Sequence, residues 1–363
     1  MKTPHNLETI TMLESLSIKN FRCFENLDVQ GFKRVNLIGG KNNAGKTALL
    51  EALLLYFYPT PQSIIELKKL RKEAIYSKKN ILKSVWDTFF YNRNATQDIE
   101  IQGVGWQNKK RNVNISNALY IQQSLFRDSE YEIENQLFQD YTESVLKIRL
   151  KVDGAEDINS SINANSKKIF SPTASDRLQP KINTSFGVSN RVIAQHYDLI
   201  RFHDRSNDVL KILQILDPSI ENAETFSMDE PTLYLTRKNQ QRLPISLFGD
   251  AVNRVVSITL ELLDRQHNVL LIDEIENGIH YSSQQEFWNA LFNLANELDT
   301  MIFATTHSLE MIKAFARAGH DHPGDGAYFE LARSPRDNQI VAINRDIETL
   351  DYALERGKPI RGE

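Results

Sequence analysis

The sequence predicts an α/β protein with a mixed sheet and a helical subdomain. Three observations carry this. A short apolar run over residues 35–38 stops at Gly39 and Gly40, and from Thr47 a leucine-rich helical stretch runs to Tyr56, giving strand, glycine loop, helix. Residues 250–305 alternate helical stripes with short, wholly apolar strands, the pattern of parallel strands joined by crossover helices. The long stretch between these regions mixes strand and helix signals with no internal repeat and no sustained heptads.

Composition is that of an ordinary globular chain. Of 363 residues, 41% are hydrophobic and 25% charged, enough for a core and too balanced for disorder. A net charge of -4 offers polyanions no global attraction, so any contact with nucleic acid has to be local. The longest apolar run, residues 48–58, contains Glu51 and falls well short of the roughly twenty residues that cross a bilayer. Residues 1–11 hold no apolar h-region, so neither a secretory signal nor a membrane partner is expected. The one cysteine, Cys23, excludes an internal disulfide framework and a cysteine-based zinc cluster, and fits a cytoplasmic chain. It lies in an alternating run and reads as a small packing residue.

Taken in order, residues 16–29 alternate apolar and polar side chains in two runs with Asn26 near the turn, a strand pair ahead of the strand at 35–38. Residues 61–94 read as helical and basic, with Lys68, Lys69, Arg71, Lys72, Lys78, Lys79, Lys83 and Arg93 outnumbering Glu66, Glu73 and Asp87. Short strands are expected at 99–104, 113–115 and 145–152, around an acidic stretch at 128–143. Residues 155–178, rich in Asn and Ser and holding Pro172, read as a mobile loop. Helical periodicity returns over 192–216, and strand-like pieces at 224–228 and 232–236 lead to Pro244. A striped helix over 250–264, a buried strand at 269–272, a helix over 282–298, a buried strand at 301–305 and a closing hairpin from 328–333 and 339–343 complete the chain. The expected organisation is a discontinuous core of 12–60 and 240–345, an inserted helical and strand-rich lobe over 61–239 with its mobile loop near 155–178, and a C-terminal tail over 346–363.

Gly40, Lys41, Asn42, Asn43, Ala44, Gly45, Lys46 and Thr47 satisfy G-x-x-x-x-G-K-[ST] in full, between a strand and a helix as the motif requires. Gly40 and Gly45 let the backbone wrap with its N–H groups turned inward, an anion nest at the positive end of a helix. Lys46 would then bridge the β- and γ-phosphates as a point charge, and the Thr47 hydroxyl would ligate Mg²⁺. The bland alternative is a glycine turn before a helix. The run from Asn268 to Glu274 supplies a second half: four apolar residues deliver Asp273 to the carboxyl edge of the sheet, where it can hold the Mg²⁺ through water. Glu274, one residue on, is the candidate general base. The bland reading of that acidic pair is a helix cap or a solvated turn. A third strand ends in Thr305, Thr306, His307 and Ser308, which sets His307 beside the other two and Ser308 at the start of a helix.

Phosphate loop, apolar strand ending Asp-Glu and strand ending Thr-Thr-His-Ser, in that order, resemble the P-loop NTPases with ABC-type ATPase heads of the RecF, SMC and OLD group. The opening SLSIKNFRCF looks like that group's first strands. The runs VLLIDEIENGIHYSSQQEFW and IFATTHSLEMI are closer still to the stand-alone OLD-like AAA-type ATP-binding proteins that lack a Toprim nuclease domain. The resemblance covers roughly 12–60 and 190–315. It implies ATP and Mg²⁺ as cofactors, Asp273 as the Walker B acid, Glu274 as catalytic base, His307 as switch histidine and residues 276–280 as a loop crossing a dimer interface. It further implies an ATP-sandwich homodimer, or a higher homo-oligomer, in which one subunit's signature motif covers its partner's nucleotide. That motif departs from the pattern here. The family has Ser-x-Gly before a helix, whereas this chain places Ser246 three residues before Gly249, with Leu247 where the serine is wanted, so turnover is expected to be slow. Arg254, one turn into the helix, reads as a solvated face, and Gln97 is the candidate for the glutamine loop.

Two functions remain. The 56 residues after His307 contain no strand-helix array of Glu and Asp-x-Asp to form a Toprim module, and the His- and Asp-containing run at 319–325 reads as loop rather than metal cluster. The resemblance therefore implies an ATPase sensor or scaffold of a bacterial anti-phage defence system, working with a separate nuclease or toxin. The alternative is a RecF-like DNA-repair ATPase that binds duplex DNA through the basic 61–94 segment, whose bland reading is a solvated helix face. A transporter ATPase is disfavoured by the long gap between Lys46 and Asp273 and by the signature.

Overall fold

The computed structural model describes residues 12–74, 85–105, 108–122, 141–164, 169–171, 182–183, 189–227, 229–264, 268–357 and 360. Strands β1 (Leu13–Phe21) and β2 (Phe24–Gln30) make the expected hairpin, and their alternation turns Leu16, Ile18, Leu27 and Val29 inward. Strand β3 (Val35–Gly40) is buried at every position and runs through the phosphate loop into α1 (Lys46–Phe57). Helix α2 (Pro61–Leu70) starts where Thr60 accepts a hydrogen bond from the Ser63 amide and Pro61 fills the first turn. Strands β4 (Ile99–Gly105), β5 (Lys110–Gln122), β6 (Tyr141–Val152), β7 (Ile158–Asn163) and β8 (Ile169–Phe170) then extend the first hairpin into a seven-stranded antiparallel sheet, ordered β2-β1-β4-β5-β6-β7-β8.

After β9 (Ile182–Asn183), helices α3 (Asn190–Phe202) and α4 (Ser206–Leu216) pack with a small antiparallel sheet of β10 (Ile220–Ser227), β11 (Pro231–Arg237) and β12 (Leu243–Pro244). The chain closes with α5 (Asp250–Leu263), β13 (Val269–Ile272), α6 (Gln284–Glu297), β14 (Met301–Thr305), α7 (Leu309–His320), β15 (Gly326–Arg333), β16 (Ile340–Asp346) and α8 (Ile347–Glu355). A six-stranded sheet, β16-β15-β3-β14-β13-β9, is parallel except at β16.

This six-stranded sheet is covered on both faces, which is why its strands read as unbroken apolar runs. Met301 and Phe303 of β14 and Val269 and Leu271 of β13 join a core shared with α1 and the antiparallel sheet. Their neighbours Ile302, Ala304, Leu270 and Ile272 face the other way, into a core with α5, α6 and α7. The carboxyl ends of β3, β13 and β14 thus lie side by side, the arrangement that places a site at the edge of an open α/β sheet.

Several expectations need correction. The boundary at residue 60 runs through a sheet, because β4 pairs with β1 along its length. The loop expected over 155–178 contains β7, which pairs with β6 and buries Ile162; residues 165–168 and 172–178 lie outside the described residues. So does most of the acidic stretch at 128–143. The single helical stretch over 192–216 is two helices, broken where Asp204 takes a left-handed φ of 59°. The C-terminal tail packs: Ile347, Leu350 and Ala353 of α8 are buried, and the Tyr328 hydroxyl donates to the Ile360 carbonyl. Among the described residues no helix is long and apolar enough to cross a membrane.

Phe303 is the keystone between the layers, fully buried with its ring centroid 5.2 Å from Phe32 and 6.0 Å from Phe57. Phe303→Ala is expected to cost about 3–5 kcal/mol, read as a lower urea midpoint at unchanged slope.

Candidate active site

The phosphate loop is held by contacts that tolerate only glycine at its two ends. Gly40 has φ 141°, and a Cβ there would sit 2.5 Å from the Leu331 carbonyl oxygen. Gly45, with φ 94°, caps α1, and a Cβ would meet the Phe24 ring at 2.8 Å. The loop therefore opens toward the cleft with the first amides of α1 unspent, as an anion site requires. The cleft has a volume of about 860 Å³ and is lined by Asn42, Asn43, Ala44, Gly45, Lys46 and Thr47 on one side and by Glu274 and His307 at one end. Arg22, Cys23, which packs beside Gly45, and residues between 71 and 93 also line it. Burial pushes the Cys23 thiol up, in keeping with a packing role.

Lys46 is 5% exposed, and its Nζ donates to the carbonyls of Gly40 (2.8 Å) and Lys41 (2.9 Å) while lying 3.2 Å from His307 Nδ1. Burial draws its pKa down to about 8 against the opposing pull of Asp273, Glu276 and Glu274. Burial and the Lys46 charge likewise lower the pKa of His307. The Thr47 hydroxyl donates to Asp273, at 3.0 Å to Oδ2 and 3.3 Å to Oδ1. Thr305 completes the join: its hydroxyl donates to Asp273 Oδ1 at 2.6 Å and accepts from the Glu274 amide at 2.8 Å. Glu274 occupies a left-handed conformation, φ 52°, that a glutamate adopts only where its surroundings compel it, and Asn277 Nδ2 holds its carboxylate at 2.7 Å. Glu276 Oε1 accepts from the His307 amide at 2.7 Å, and Ser308 caps α7 as expected.

The structure thus brings Lys46, Thr47, Asp273, Glu274 and His307 together. It leaves Ser246 and Gly249 apart from them: both are exposed in the turn before α5 and neither lines the cleft. Arg254 is not on a solvated face. It is 8% exposed and turns inward, where Nη2 donates to the Asp273 carbonyl at 2.6 Å and Nη1 to the Asn183 side chain. Asn183 in turn reaches Ser257 of α5 and accepts the Asp273 amide on its carbonyl. Burial lowers the pKa of Arg254. Gln97 lies outside the cleft lining, with its carbonyl bound by Asn20 Nδ2 at 2.7 Å. Sequence reasoning did not assign Thr305, Asn277, Asn183 or the inward turn of Arg254. Only Thr305 had a signal, as a hydroxyl at the end of a strand beside the Asp-Glu strand.

A family model described as "AAA domain, putative AbiEii toxin, Type IV TA system" matches residues 35–313, which span the phosphate loop, Asp273, Glu274 and His307. The chain belongs to this family. It is an AAA-type ATPase. A protein of Helicobacter pylori named ATP/GTP phosphatase is 25% identical over 335 residues, 83% of this chain and 87% of its own length. A DNA double-strand break repair Rad50 ATPase of Archaeoglobus fulgidus shares 45% identity over 47 residues, 13% of this chain and 5% of the Rad50 protein. Among solved structures, an Smc head domain with an extended coiled coil, bound to the C-terminal domain of ScpA from Pyrococcus furiosus, aligns with TM-score 0.50 at 10% identity, over 96% of this chain and 99% of that one. The fold is that of an ABC-type P-loop ATPase head, with a mixed sheet and a helical subdomain.

Two outcomes follow from the geometry of the AAA-type site. Thr305→Val removes the hydroxyl that fixes both acids while keeping the strand, and should lower kcat by about 10–100-fold, the value of one or two hydrogen bonds to a charged group, with a loss of about 1–3 kcal/mol in stability. Phosphates will raise the pKa of Lys46 from about 8, so binding near pH 9 should take up roughly one proton and binding at pH 7 almost none from this group. Calorimetry in buffers of differing ionisation heat reads this directly, and buffer-independent heats near pH 9 would contradict it.

Proposed function

We propose that this chain is a Mg²⁺-dependent, slowly turning ATPase of the OLD-like type that closes on ATP as a homodimer and serves as sensor or scaffold for a separate nuclease or toxin. The observation that carries the catalytic part is the convergence of Thr47 and Asp273 at 3.0 Å beneath a complete phosphate loop. These are two hard oxygen donors, the set magnesium takes when it keeps several waters and is completed by substrate phosphates. Thr47 and Asp273 would hold the ion, whose charge would offset that on the transferring phosphoryl group. Lys46 would leave its two carbonyl acceptors for the β- and γ-phosphates. Glu274, steadied by Asn277, would accept a proton from the attacking water, and His307 would contact the γ-phosphate.

The dimer reading is supported by what lies outside the cleft. Gly249, with φ 86°, presents the start of α5 to solvent beside Leu247, which is 66% exposed. The 276–280 loop packs on the same turn, since a Cβ on Gly278 would lie 2.8 Å from Ala251 Cα, and Tyr281 follows at 69% exposed. One exposed face therefore carries the signature residues Ser246 and Gly249 and the loop that grips His307 through Glu276, as a second copy's nucleotide would require. The name of the Helicobacter relative supports hydrolysis, and the toxin-antitoxin system in the family's description supports a chain that works with a second component.

Duplex DNA at 61–94 is the weaker reading. Lys68 is 2% exposed and pairs with Glu73, Lys69 pairs with Glu66 and Arg71 with Glu51, so these three cations of that segment are matched by carboxylates. Lys78, Lys79 and Lys83 lie outside the described residues. Lys46→Ala is expected to abolish ATP binding, whereas Glu274→Gln should retain ATP and accumulate as a dimer by light scattering. Unchanged hydrolysis by Glu274→Gln would remove it as the base. Steeply salt-dependent DNA binding that vanishes on neutralising Lys69, Arg71 and Lys72 would favour the repair reading.

A further inference from the structure

The cleft is lined by three arginines from outside the nucleotide motifs, and their surroundings differ. Arg22 is buried and held at Nε and Nη1: its side chain is 9% exposed, Nε donates to Glu51 at 2.7 Å, Nη1 donates to Glu73 and the Thr88 carbonyl, and the guanidinium lies 4.3 Å over the Phe89 ring, leaving Nη2 buried with no partner among the described residues. Arg93 is exposed at the rim. Arg71 combines anchorage with access. Its Nε donates to Glu51 Oε1 at 2.6 Å, its side chain stays 40% exposed, and its two terminal amino groups meet no acceptor among the described residues. A guanidinium gripped at Nε and open at both ends presents the planar fork that matches a phosphate.

Glu51 fixes where that fork lies. It is wholly buried on α1, four residues after Thr47, hence on the same face about 6 Å further along the axis. Helical side chains lean toward the N-terminus, so its carboxylate tilts back toward the turn bearing Thr47. Thr47 in turn rests on Asp273. Arg71 therefore stands about one helical turn from the Thr47–Asp273 pair. Burial alone would lower its pKa, yet Glu51, Glu73 and also Asp273 hold it above the usual arginine range, in accord with that placement. A buried carboxylate clamped between two guanidiniums is a costly arrangement whose geometry is not free to wander, and here it serves as a mount.

We propose that Arg71 contacts the terminal phosphates of the bound nucleotide from within the same chain. The inference rests on the nucleotide reading of the cleft. It is tested by measuring Mg²⁺-ATP and Mg²⁺-ADP affinity and kcat for wild type, Arg71→Ala and Arg71→Lys, with thermal midpoints alongside. The expected result for Arg71→Ala is about a tenfold or larger loss in kcat and a similar fall in the ratio of ATP to ADP affinity, with Arg71→Lys recovering part of both. Equal losses for ATP and ADP at unchanged kcat would make Arg71 a mount for Glu51 alone and overturn the proposal. If Arg71→Ala does not fold, Arg71→Gln against Arg71→Lys gives the same comparison, and matching affinity ratios and kcat in that pair would overturn it. A wild-type protein that binds neither nucleotide would overturn the nucleotide reading and this inference with it. Wild type that binds ATP while every Arg71 variant matches it would overturn this inference alone.

Discussion

The carboxylate of Asp273 accepts hydrogen bonds from Thr47 and from Thr305 at the same time, and the site stands on that shared acceptor. Thr47 belongs to the strand-loop-helix unit at the start of the chain, whereas Asp273 and Thr305 end neighbouring parallel strands near its far end. A carboxylate half-buried at a sheet edge demands donors, and leaving one unmade costs about 1–3 kcal/mol. Two hydroxyls supply them, and in doing so they lock the helix that follows the phosphate loop against the acids that follow β13. The same Thr305 hydroxyl accepts the Glu274 amide, so the proposed metal ligand and the proposed base share one support.

The surrounding architecture serves that junction. Parallel strands buried on both faces bring three strand ends into line, and the layers on either side allow little adjustment. Arg254, on the helix whose exposed start follows Ser246 and Gly249, and Asn183 of β9 hold the backbone of Asp273. The turn that would face a partner and the acids that would face the nucleotide are thereby joined by a single buried guanidinium. Glu51 performs a corresponding task on α1, tying that helix to two arginines that line the cleft.

Much of this was legible from sequence because it depends on short-range pattern. The apolar runs at 269–272 and 301–305 are strands with those bounds, since burial on both faces leaves no alternation to misread. The phosphate loop follows from spacing alone. What escaped depends on partners far apart in the chain. Arg254 follows Asn253 on a striped helix and looks solvated until β9, a two-residue strand with almost no sequence signal, supplies Asn183. Lys68 and Arg71 look like a basic surface until Glu73 and the single buried acid of α1 are placed against them. Strand pairing between β1 and β4 joins residues about eighty positions apart, which made the inserted stretch look like a separate lobe.

The central claim is that Thr47 and Asp273 mark the metal position of a composite ATP site. A structure of the Glu274→Gln protein with Mg²⁺ and ATP tests it most directly. The account predicts magnesium coordinated by the Thr47 hydroxyl and held by Asp273, directly or through water, with the terminal phosphates between Lys46, His307 and Arg71. Nucleotide bound elsewhere, or magnesium that leaves the Thr47–Asp273 hydrogen bond untouched, would contradict it.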